Sequence, residues 1–141
     1  MIRVVTAAAG EGKSKNLIAL ANENLDVTKG HIVFVDGDGS HMYSLKHQIR
    51  YINTSDFPLD NHHEFFGFIC GILARDSDIS DIYVDGLLKL ANLNQIDNPE
   101  GLVEKLKLIS KKFDVNITLG IGCSADKLPE AFKEFEQIEK K

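Results

Sequence analysis

Ile2-Arg3-Val4-Val5-Thr6-Ala7-Ala8-Ala9-Gly10-Glu11-Gly12-Lys13-Ser14 (residues 2–14) is the stretch that decides the fold. Its first five residues are an apolar run of strand length, and Asn16 to Leu25 reads as a helix. Between them Ala7 to Ser14 has the form [Ala/Gly]-x-x-x-x-Gly-Lys-[Ser/Thr]. A glycine-rich turn from a strand into a helix brings backbone N–H groups, a helix N-terminus and a lysine to bear on one anion, the arrangement a nucleoside phosphate requires. Gly10 and Gly12 permit the tight turn and the close backbone approach. Lys13 is expected to reach the β- and γ-phosphates and the Ser14 hydroxyl to ligate Mg²⁺. The binding residues expected from the motif are therefore Ala9, Gly10, Glu11, Gly12, Lys13, Ser14 and Lys15. For Lys15 two roles stand open: added charge near the α-phosphate, or a solvated helix residue. Ala7 occupies a position where Gly is commonest, a minor departure.

Outward from the loop, strand and helix patterns alternate. Ile32 to Val35 and Asp81 to Asp85 are buried-strand runs, each ending in Asp-Gly, and Val115 to Ile121 is a further strand. Gln48 to Ile52 is a weaker strand candidate. Asn61 to Arg75 reads as a helix with an Asn61/Glu64 capping box; Pro99 to Phe113 reads as a second, with Asn98 as its N-cap. Leu128, Phe132, Phe135 and Ile138 recur at helical spacing, which predicts a closing helix over Lys127 to Glu139. Gly67 and Gly71 are expected to pack closely on the sheet, since each costs its helix about 1 kcal/mol against Ala. The alternation predicts an α/β fold: a three-layer α/β/α sandwich with a mostly parallel sheet of about five strands, forming one domain over residues 1–141. Ligands of such sheets sit at the carboxyl ends of the strands, which places the loop, Asp36, Asp85 and Ser124 on one rim.

A triphosphate site also needs a carboxylate at the end of an apolar strand to hold Mg²⁺. Ile82-Tyr83-Val84-Asp85 supplies it, so Ser14 and Asp85 are the expected metal residues. Asp36 ends Val33-Phe34-Val35 in the same way; a turn residue, a second metal-shell carboxylate and a general base are all open to it. Lys13, Asp36 and Asp85 are thus the candidate catalytic residues. Gly86 follows Asp85 where many ATPases carry a glutamate that activates water. Glu11 and Asp38 are weaker candidates for positioning water, Ser124 and Asn116 for sensing the terminal phosphate, and Arg50 and Arg75 for arginine fingers acting in trans in an oligomer. The adjacent His62 and His63 point in different directions on a helix and make no metal set; His31, His41 and His47 carry no signal.

Composition bounds the partners. The chain has 141 residues, is 43% hydrophobic and 26% charged, and carries net charge −5. No basic stripe of the kind that grips nucleic acid is visible, and the lysines at 105, 107, 111 and 112 share their helix with Glu100 and Glu104. No apolar run is long enough for a membrane span, and the start runs straight into a strand rather than a signal peptide. Cys70 and Cys123 form no disulfide framework or zinc pattern, and the cytoplasm is the expected address.

On the loop, on the four strands and on Asp85, the chain resembles the P-loop NTPase superfamily, with the layout of a minimal RecA-like core. It is also similar to a family of small, uncharacterised ATP-binding proteins of Gram-positive anaerobes in its start Met-Ile-Arg-Val-Val-Thr, in residues 49–57, in Phe65 to Ile72 and in Ile82 to Leu87. The resemblance implies ATP and Mg²⁺ as cofactors and supplies no physiological role. The expected function is a Mg-ATP-binding protein with weak or partner-activated ATPase activity. The alternatives are a small-molecule kinase using Asp36 as base and a non-catalytic nucleotide switch acting on a protein partner. A protein partner or a homo-oligomer is compatible with each; neither a membrane nor nucleic acid is indicated.

Overall fold

The computed structural model describes residues 1–7, 12–37, 39, 41–87 and 99–139. The described elements are β1 (Ile2–Thr6), α1 (Lys13–Asn24), β2 (His31–Asp36), β3 (Arg50–Asn53), α2 (His62–Arg75), β4 (Ile79–Asp85), α3 (Pro99–Phe113), β5 (Asn116–Ile121) and β6 (Glu136–Glu139). Single 3₁₀ turns at Met42–Ser44, Thr54–Asp56, Ala125–Lys127 and Glu130–Phe132 link them. The strands form one sheet in the order β3-β2-β4-β5-β1-β6, and every pairing is parallel. The α/β class and the parallel sheet agree with the expectation; the sheet has six strands rather than about five.

Strand alternation sends side chains to two apolar layers. Val4, Val33, Val35, Ile82, Val84, Ile117 and Leu119 face α2 and α3 and pack with Phe65, Ile69, Leu102 and Leu106. Val5, Ile32, Phe34 and Tyr83 face α1 and meet Leu17, Ile18 and Ala21. Both faces are covered, which is why these strands read as continuous apolar runs. Phe34 stacks between Tyr51 and Tyr83, with ring centroids 6.4 and 6.3 Å away. The connection leaving β1 crosses the sheet on the α1 side; α3, which leads into β5, lies on the other.

The Asn61/Glu64 cap at α2 is formed in part: the Asn61 side chain accepts from the Glu64 N–H at 2.9 Å, while Glu64 Oε1 reaches one residue past the N-cap and accepts from the Asp60 N–H at 2.7 Å. Two expectations are corrected. Residues 127–139 form no α-helix: Leu128 and Phe132 drop into the core from two 3₁₀ turns, and Glu136–Glu139 adds to the free side of β1 as β6. Gly67 and Gly71 do not pack on the sheet. Both are exposed, and a Cβ on either would meet nothing within 4 Å.

Candidate functional site

β1 lies between β5 and β6, so β5 separates it from β4. The end of β1 and the start of α1 therefore reach β4 only across β5, at Gly120, which pairs with both Val5 and Asp85. A side chain at Gly120 would strike Leu17 Cδ1, and its Cβ would stand 3.2 Å from the Val84 carbonyl and 3.4 Å from Asp85 Oδ1. The bare backbone there leaves the gap through which α1 meets Asp85.

That contact is specific. Lys13 Nζ lies 2.5 Å from Asp85 Oδ1 as an ion pair, and Ser14 Oγ donates to Asp85 Oδ2 at 2.7 Å. Asp85 is 4% exposed, so its charge is balanced by these two groups rather than by bulk water. Gly12 is the N-cap of α1 at φ 88°, a left-handed conformation that glycine adopts without steric cost, and among the described residues no side chain caps the helix. No acidic residue stands in the first turn of α1, so its N-terminal donors and Lys13 make a positive end. Gly86, after Asp85, sits at φ 81° and donates its N–H to the Gly120 carbonyl at 3.2 Å. A glutamate at that position would be strained, which accounts for glycine there.

Asp36 and Asp85 directly follow the paired residues Val35 and Val84, so they end neighbouring strands at one level. Asp36 is also 4% exposed, its Oδ2 accepts from the Tyr51 hydroxyl at 2.8 Å, and Thr54 Oγ1 donates to its carbonyl at 3.1 Å. Two buried carboxylates thus stand on strands about 5 Å apart, beside one lysine and one serine.

The remaining sequence candidates separate. Lys15 is exposed on α1. Ser124, beyond the end of β5, is hydrogen-bonded to Asp126 and is the N-cap of a 3₁₀ turn. Asn116 begins β5, pairs with Asp81 and lies at the amino ends of the strands, away from the rim where it was expected to help. Arg50 starts β3 and Arg75 ends α2; both line a groove of about 1060 Å³ along the sheet edge, apart from Asp85 of the same copy, so any role at the rim would be in trans. Ala9, Gly10, Glu11 and Asp38 lie outside the described residues. The lysine-rich helix α3 is solvated as expected, with Lys107 between Glu104 and Glu134 at 3.5 and 3.3 Å.

Sequence reading missed one cluster. His31 Nδ1 lies 2.7 Å from Asp76 Oδ2, and these two with Asp78 offer ligand atoms within 4.8 Å of one another. They come from β2 and from the α2–β4 turn, so no spacing in the chain announces them. The Asp76 hydrogen bond and charge raise the His31 pKa above 6.5, and the same bond lowers that of Asp76 below 3.8.

No protein-family model matches this sequence. No curated protein matches it significantly. Among the described residues no helix is long and apolar enough to cross a membrane.

Proposed function

We propose that this chain is a Mg-ATP-binding protein of the P-loop NTPase type, with weak or partner-activated hydrolysis. The observation that carries the reading is the Lys13–Asp85–Ser14 constellation, in which the last two residues of the phosphate-loop motif meet the expected metal carboxylate across Gly120. Nothing in composition requires residues 72 apart to converge there.

The residues fit Mg²⁺. Ser14 Oγ and the Asp85 carboxylate lie 2.7 Å apart, close to the roughly 3 Å between neighbouring oxygens of an octahedral ion with bonds near 2.1 Å. Ser14 would hold the ion directly and Asp85 would hold it from the buried side. Bound there, Mg²⁺ offsets phosphate charge and orients the terminal phosphoryl group. Lys13 would exchange its carboxylate partner for phosphate oxygens, a swap of one anion for another that leaves the ammonium paired. The first N–H groups of α1, which no side chain among the described residues caps, would donate to the same phosphates. Asp36, fixed by Tyr51 beside Asp85, stands on the rim where an attacking group would approach. Gly86 offers no carboxylate to activate water, which favours slow turnover over rapid hydrolysis.

Titration calorimetry with ATP and Mg²⁺ tests the reading. Binding is expected for the native chain and is expected to be lost in Lys13→Ala; an absence of binding at millimolar nucleotide would overturn the proposal. The kinase and switch alternatives share this binding step. They part from it at turnover, where a hydroxyl acceptor in place of water marks a kinase and ADP- and ATP-dependent hydrogen exchange without turnover marks a switch.

A further inference from the structure

Helix α2 turns a continuous face to solvent. Glu64, Gly67, Gly71, Ala74 and Arg75 are all exposed, and at 100° per residue they share one arc opposite the buried Phe65, Ile69 and Leu73. Neither glycine has a positive φ, and neither is approached by any atom that a Cβ would displace. Among the described residues of a single copy, nothing accounts for two helix-weakening residues at mid-helix. Beside this face runs the groove of about 1060 Å³: Phe68, Gly71 and Ile72 form its α2 wall, and Ile52 and Phe57 stand on the side of the open strand edge. Phe57 is 48% exposed, with its ring 5.2 Å from that of Phe68. The groove and the glycine face adjoin through Gly71.

We propose that this surface docks a second copy of the chain, α2 against α2, antiparallel about a two-fold axis passing between Gly67 and Gly71. Charge and shape on the helix select that occupant. About such an axis Gly67 faces the second copy's Gly71, where the missing side chains let the two backbones approach closely. Glu64, one turn before Gly67, then faces the second copy's Arg75, one turn after Gly71, and symmetry repeats the pair. A parallel arrangement would set Glu64 against Glu64 and Arg75 against Arg75. Rotation about the axis keeps each groove on the same side of the helix pair, so the two apolar grooves adjoin and Phe57 and Phe68 of both copies lose their exposure. The proposal is independent of nucleotide binding, because α2 contributes nothing to the Lys13–Asp85 contact.

Sedimentation equilibrium of the full chain over about 1–200 μM tests it. The native chain is expected to dimerise reversibly within that range. Gly67→Gln and Gly71→Gln fill open space, so each is expected to keep the circular dichroism of the fold while raising the dimer dissociation constant by at least about ten-fold. Arg75→Glu is expected to weaken association similarly, and the double variant Glu64→Arg/Arg75→Glu to restore it. Glu64 also accepts from the Asp60 N–H, so retention of the fold in the double variant is checked first; the glycine variants stand on their own if it is lost. A native chain that stays monomeric throughout, or a dimer indifferent to both glycine variants, overturns the proposal.

Discussion

Replacing Lys13 by Met should destabilise the protein through the carboxylate it abandons. The Asp85 side chain is 5% exposed and that of Lys13 18%, and after the change Ser14 alone of the two groups remains to balance the charge. Removing one member of a fully buried pair costs about 3–5 kcal/mol. The partial exposure of Lys13 admits water to the site and brings the expectation down to about 2–3 kcal/mol. At about 0.3 kcal/mol per degree for a domain of this size, the midpoint of thermal unfolding should fall by roughly 7–10 °C. Asp85→Asn is milder, about 1–2 kcal/mol, because the freed ammonium swings towards solvent and Ser14 keeps an acceptor. The double variant buries no charge. Its loss should fall short of the sum of the single losses by at least about 1 kcal/mol. Urea denaturation of the four proteins closes the cycle. Additivity to within about 0.5 kcal/mol would refute the claim that the two groups form one buried pair.

Gly120→Val should destabilise by about 2–3 kcal/mol, because its side chain lands on Leu17 and crowds Asp85, and Leu17→Ala should recover part of the loss in the same denaturation assay. The His31–Asp76 pair predicts a pH window. The raised His31 pKa contributes stability that is present below the unfolded value of 6.5 and lost as pH rises through the folded one. The lowered Asp76 pKa contributes stability that is present above 3.8 and lost as pH falls through the folded value. The stability difference between the native chain and His31→Gln should therefore be greatest near pH ~5 and shrink as pH rises through the folded His31 value; NMR titration of the His31 ring checks the direction directly.

The parts of this fold that local pattern determines were legible. β1, β2, β4 and β5 are buried on both faces, so each is an apolar run of strand length. Asn61 and Glu64 announce the start of α2 through their own hydrogen bonds. The rim of Lys13, Ser14 and Asp85 followed from strand–loop–helix logic and from where apolar strands end. Residues 127–139 were not legible, because Leu128, Phe132, Phe135 and Ile138 satisfy helical spacing while their conformation is decided elsewhere. β1 has a free side, and Glu136–Glu139 satisfies it with a parallel ladder that no short-range signal reports. Gly67 and Gly71 were misplaced for a related reason. A glycine pair four apart on a helix suggests packing on the sheet, but Gly67 and Gly71 lie on the face of α2 turned away from it. The His31, Asp76 and Asp78 cluster escaped notice because it forms only when β2 and the α2–β4 turn are set side by side.

The place of β1 between β5 and β6 bears on how the molecule comes into being. Arg3 and Thr118, register partners across β1 and β5, are 115 residues apart in the chain. The strand that leads into the phosphate-loop motif is synthesised long before either of its neighbours, and it must wait while β2, β3 and β4 emerge. Contacts of such long separation form slowly, since a large loop is closed before any ladder bond rewards it. A nascent chain that ends ahead of β5 carries Lys13 and Ser14 but neither the bare backbone of Gly120 nor the strand that brings Asp85 within their reach. The contact of Lys13 and Ser14 with Asp85 therefore does not accumulate with chain length; it arrives when the sheet closes around its earliest strand.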